Sequence, residues 1–162
     1  MDDERLRRVI EMLVRKGNIS DDVGGDLRAT ALDWLERARR ELAVLDPILS
    51  AGQWRVAYTT AYDIYRHAAE TVDLAAGYRI RASPGAHAAT FALAAAVLDG
   101  RSVVFDASTA STFAGMRHQL EYLDVDSSSE VTEGDARWAA QVAERAINEV
   151  SSFLSEPNDA KT

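Results

Sequence analysis

A chain of 162 residues is long enough for one domain with a sizeable core, and its 47% apolar and 27% charged content is ordinary for a globular protein. Its net charge of −8 disfavours an extended grip on a phosphate backbone and leaves room for a local arginine site. The absence of cysteine excludes disulfides, thiolate zinc sites and a cysteine nucleophile.

The chain opens Met-Asp-Asp-Glu, which does not read as a signal peptide. Residues 3 to 16 then predict a short amphipathic helix. Leu6, Val9, Ile10, Leu13 and Val14 form its stripe, and Arg5, Arg7, Arg8, Arg15 and Lys16 make it locally basic. So short a helix needs a surface to pack on: the bundle, a second copy or a partner. Gly17 ends it and residues 18 to 25 read as a linker, so residues 1–25 are expected to form an appendage.

Asp26 can cap a helix reaching about Leu45, with Leu27, Ala31, Trp34, Leu35, Ala38 and Leu42 at helical spacing. Pro47 and Gly52 mark a turn. Residues 53 to 76 predict a second long helix, apolar most of the way round and therefore central. Tyr58, Tyr62 and Tyr65 lie on its stripe and read as core. Its polar residues Asp63, Arg66, His67 and Glu70 are three or four apart. They read either as a self-satisfied pair lattice or as a patch facing a later helix.

Residues 79 to 85 form a loop, and Ala86 to Leu98 an alanine-rich helix too short to span a bilayer. His87, in its first turn, reads as a capping or packing residue. Asp106 to Thr112 is a Ser/Thr-rich opening to the next helix. A loop from Asp126 to Glu133 precedes a last helix over residues 133 to 154, and residues 156–162 read as a disordered polar tail. The fold class is therefore all-α: an antiparallel bundle of four to five helices with a short extra N-terminal helix, residues 26–155 forming the bundle. A soluble, cytoplasmic protein without a membrane partner is expected.

The stretch from Phe113 to Asp124 carries the densest chemistry. At ~100° per residue, Phe113, Met116, Leu120 and Leu123 fall on one stripe, and Arg117, His118, Glu121 and Tyr122 cover an arc of ~140° assigned to the opposite side. The polar cluster is expected to point outward, to solvent or a partner. Arg117 with Glu121, and His118 with Tyr122, are four apart and can touch.

That stretch, with the helical patterns around it, resembles the HEPN superfamily. These are small helical bundles, many of them RNases or partners of nucleotidyltransferases in toxin–antitoxin and phage-defence modules. Their signature is an Arg, often followed by Asn, then four to six residues and a His. Here Arg117 is followed by His118 in the Asn position, and Tyr122 stands where the His is expected. The chain looks most like a divergent branch reading Arg-Asn-x-x-Glu-Tyr. Gly85-Ala86-His87 matches the Gly-x-His of that branch, where it looks architectural. The resemblance covers about residues 27 to 155.

The resemblance implies metal-independent chemistry in which the Arg stabilises phosphate charge and an imidazole transfers protons, commonly across a two-fold dimer. Arg117, His118, Glu121 and Tyr122 are the candidate functional face. No cofactor and no metal are expected. The first functional reading is a protein-binding, neutralising component of a toxin–antitoxin or defence-type module, with a nucleotidyltransferase-type toxin or a second copy as partner. The alternatives are a HEPN RNase toxin using Arg117 and His118 across a dimer, and a non-catalytic helical scaffold dimer. RNA as a partner is disfavoured by the acidic field.

Overall fold

A computed structural model describes residues 3–20, 26–121 and 130–156. It is all-α, with helices α1 (Asp3–Arg15), α2 (Leu27–Leu42), α3 (Leu45–Ser50), α4 (Trp54–Ala75), α5 (Ala86–Val97), α6 (Ala107–Glu121) and α7 (Glu133–Ser155). Among the described residues there is no strand, only an isolated antiparallel bridge between Ile19 and Ile80. No described helix is long and apolar enough to cross a membrane.

The near-continuous apolar surface of α4 makes it the axis. It packs against α2, α3, α5, α6 and α7, and bears the buried tyrosines Tyr58, Tyr62 and Tyr65. Phe113 of α6 enters the middle of this cluster, fully buried, with its ring centroid 4.9 Å from that of Tyr65 and 4.9 Å from that of Trp138. Rings at such separations gain edge or offset stacking beyond their burial. The Tyr65 hydroxyl donates to the carbonyl of Val104 at 3.0 Å, which meets the demand of a buried O–H for a partner. Burial, with Asp106 and Glu149 nearby, pushes this phenol well up from its ordinary value.

Side-chain caps start α2, α6 and α7. Asp26 accepts from the backbone N–H groups of Arg28 and Ala29, and Asp106 from those of Ser108 and Thr109. Thr132 and Asp135 form a reciprocal capping box at the start of α7. The Ser/Thr-rich opening is capped by Asp106 as expected, and the helix already runs through it from Ala107. A difference lies at Pro47, expected in a turn. It occupies the third position of α3, where a helix needs no N–H donor, so the chain makes one more short helix there.

The N-terminal arm packs on the bundle, the first of its three expected surfaces. Its helix α1 lies against α5, with Leu13 2% exposed and Arg5 paired with Asp99. Val14, expected in the stripe, stands at its edge and is exposed. Beyond α1, Ser20 N–H donates to the Arg79 carbonyl at 2.8 Å and Arg81 N–H to that of Asn18 at 2.7 Å. Residues 18–20 thereby clamp the segment that follows α4.

Candidate functional site

The polar residues of α4 divide between two neighbours. Toward α2, Arg66 Nη2 lies 2.9 Å from Nε2 of His67, and Nδ1 of His67 lies 2.8 Å from Oε2 of Glu41. A guanidinium can only donate, so Nε2 of His67 accepts and its Nδ1–H donates to Glu41. Arg66 Nη1 also bonds Oε1 of Glu70 at 2.5 Å, and Trp34 packs edge-on against the His67 ring. His67, Arg66 and Glu70 thus form the self-satisfied lattice. Asp63 touches its edge, with Oδ1 3.9 Å from Nε of Arg66, and also faces α6.

Arg117 closes that second contact. Its Nη1 lies 2.9 Å from Oδ1 of Asp63, and its Cζ lies 4.7 Å from the ring centre of Tyr62. Arg117 therefore turns inward, half-buried, and the outward orientation expected for it does not hold. The reason is geometric: at ~100° per residue it stands only ~40° from Phe113, on the shoulder of the apolar stripe. His118, a further ~100° round, is exposed. The Glu121 side chain and all of Tyr122 lie outside the described residues, as do most of the acidic loop before α7 and residues 157–162.

The Tyr62 hydroxyl shares a hydrogen bond of 2.9 Å with Nδ1 of His87, at the start of α5. Gly85 precedes it with φ +84°, a left-handed conformation natural to glycine, and caps α5 without a side chain. His87 is consequently a member of the Tyr62 cluster and not a cap. Partial burial lowers its pKa, and the charges of Arg66 and Arg117 lower it further against the opposing pull of Glu70 and Asp63. The cluster that emerges is Tyr62, Asp63, His87 and Arg117. Of these Arg117 was a candidate from sequence, and Asp63 belonged to the α4 patch that could face a later helix, as it does. Tyr62 is hidden within a tyrosine stripe, and His87 depends on how α5 docks on α4.

Beside the cluster a cavity of about 510 Å³ opens between α2, α4, the 78–82 segment and the start of α5. The end of α4 shapes it. Gly77 N–H donates to Leu74 and Tyr78 N–H to Asp73, the paired bonds of a Schellman turn, with Gly77 at φ +91°. Asp73 lines the cavity and is 1% exposed. Among the described residues, neither of its carboxylate oxygens has a hydrogen-bond partner. Burial, and then the charge of Glu70, push its pKa well above the usual carboxylate range. A lone acid in the apolar run Thr71 to Ala76 was the available signal for it.

Among the described residues, no three histidine, aspartate or glutamate side chains are grouped so as to hold a metal ion. No protein family, curated protein or solved structure matches the chain.

Proposed function

We propose that the chain is a HEPN-like, non-catalytic component of a toxin–antitoxin or defence-type module, acting by binding and neutralising a protein of the nucleotidyltransferase type. The observation that carries the non-catalytic half is the commitment of Arg117 to Asp63 and Tyr62 within its own fold. The neighbouring His118 is exposed, ~100° round the helix from Arg117, which supports the reading. A net charge of −8 further opposes RNA. The test is co-expression with a nucleotidyltransferase encoded beside it. Relief of that enzyme's toxicity, with a complex that co-sediments, supports the reading. Unrelieved toxicity without a complex overturns it.

One observation favours a second reading, RNA cleavage. His87 bonds the Tyr62 hydroxyl and Arg117 lies over the Tyr62 ring, and the lowered pKa of His87 suits a proton acceptor at neutral pH. In that reading His87, in place of His118, supplies the imidazole. Purified, metal-chelated protein on mixed RNA separates the two. Inert wild type sustains the binding protein. Cleavage lost in Arg117→Ala and His87→Ala but kept in His118→Ala establishes the nuclease.

A further inference from the structure

His67 sits at the centre of a run of polar contacts that crosses α4 from α2 to α6. Its ring is buried, with Nδ1 2.8 Å from Oε2 of Glu41 on α2 and Nε2 2.9 Å from Nη2 of Arg66. Because Nε2 must accept from the guanidinium, the ring is neutral and its one proton is on Nδ1. Arg66 is the branch point. Its Nη1 bonds Oε1 of Glu70 at 2.5 Å, and its Nε lies 3.9 Å from Oδ1 of Asp63. The same Asp63 oxygen takes Nη1 of Arg117, on α6, at 2.9 Å. One guanidinium therefore stands between a titratable ring and the carboxylate that ties α6 to α4.

A proton on Nε2 turns that nitrogen from acceptor to donor, and the contact with Arg66 becomes a meeting of two donors and two positive charges. Little water screens them: His67 is 7% exposed and the Arg66 side chain 20%. The ring has reason to stay. Its Nδ1–H still donates to Glu41, now as one half of an ion pair, and Trp34 remains edge-on against it. Arg37 holds the other oxygen of Glu41 at 3.2 Å and opposes the new charge from the more exposed α2 side. Arg66 has an acceptor to move to, because Asp63 lies only a little beyond hydrogen-bond distance. We propose that His67 is a pH-operated switch: its protonation drives Arg66 off the ring and onto Asp63, which is then shared with Arg117, and the polar tie between α4 and α6 loosens. Phe113 stays buried among the α4 tyrosines, so α6 remains docked while its Arg117 end gains freedom. An imidazole carries such a change between about pH 5 and 8. The switch acts within this fold alone, whatever the chain binds.

Amide hydrogen exchange along Phe113 to His118, corrected for the intrinsic effect of pH, reads the tie on the full chain, and nitrogen NMR of the His67 ring reads its protonation. Nδ1 should carry the proton at about pH 8, and Nε2 should gain one before about pH 5. As it does, protection of these amides should fall about two- to fivefold, the equivalent of losing a partly screened ion pair. His67→Gln offers a permanent acceptor to Arg66 and a permanent donor to Glu41, and should hold protection constant across that range. Arg66→Gln removes the moving cation at a partly exposed position and should do the same, so the test stands even if the buried variant misfolds. His87 of α5 titrates in the field of Arg66 and Arg117, and His87→Gln separates it: the fall should persist there. A ring that carries its proton on Nε2 at about pH 8 or stays neutral at about pH 5, constant protection in the wild type, an equal fall in Arg66→Gln, or a fall abolished by His87→Gln would each overturn the switch.

Discussion

Arg117 of α6 and Asp63 of α4 meet at 2.9 Å with the guanidinium laid over the Tyr62 ring, a polar tie beside the aromatic contact that Phe113 makes between the same two helices. The side chains are 24% and 39% exposed, so solvent screens the pair and its net value is small. A double-mutant cycle of Arg117→Ala and Asp63→Ala should return a coupling of about 0.5–1 kcal/mol, measured by urea unfolding. Added salt should weaken it. Arg117→Lys should keep part of the coupling and lose the planar stacking on Tyr62. Strictly additive single variants would show that the two residues are neighbours without being partners.

The long helices were legible because their apolar positions repeat at helical spacing and strong stop signals bound them. Residues 53–76 were expected to be helical and Trp54–Ala75 are; residues 133–154 were expected and Glu133–Ser155 are. What failed was local chemistry with two readings. Pro47 signals a turn in general but is harmless in a first turn. The cluster was less legible for a different reason. Arg117 is nearly equidistant from the apolar stripe and the polar arc, and only the docking of α6 on α4 decides which side it joins. His87 and Tyr62 meet across 25 residues of chain, and no periodicity carries that information.

Phe113 is the residue on which the aromatic centre depends. It is fully buried and contacts the rings of Tyr58, Tyr62, Tyr65 and Trp138. Truncating it leaves a void among rigid rings that cannot collapse to fill it. Phe113→Ala should cost about 3–5 kcal/mol in chemical denaturation. Phe113→Leu, which refills much of the volume, should cost less. A loss under about 1 kcal/mol for the alanine variant would mean that α6 does not dock as described.

Leu13 and Val14 are adjacent and opposite in consequence. Leu13 is 2% exposed in the core and Val14 56% exposed. Leu13→Ala should destabilise by about 2–5 kcal/mol, while Val14→Ala should stay within about 0.5 kcal/mol. With Leu13 buried and Ile19 bridged to Ile80, removal of residues 1–20 uncovers α5 and frees the segment after α4. The truncated chain should therefore melt earlier than the whole protein. An unchanged melting temperature, with weakened association alone, would instead mark the arm as a detachable docking element.

Asp73 gives the fold a pH signature. Its folded pKa is raised above the ordinary value of 3.8, chiefly by burial and then by Glu70, while the unfolded chain titrates normally. Between those two values the folded state holds a proton that the unfolded state has released. Stability therefore falls as pH rises from about 4, by up to about 1.4 kcal/mol per pH unit, and levels off once the folded group ionises. Below about pH 4 both states are protonated and the burden vanishes. Asp73→Asn keeps the shape and removes the titration. Its stability relative to wild type should thus be greatest at neutral pH and shrink steadily on acidification toward pH 4, as followed by urea midpoints across that range. A difference that stays constant with pH would place the carboxyl in contact with water or a hidden partner and remove the burial argument with it.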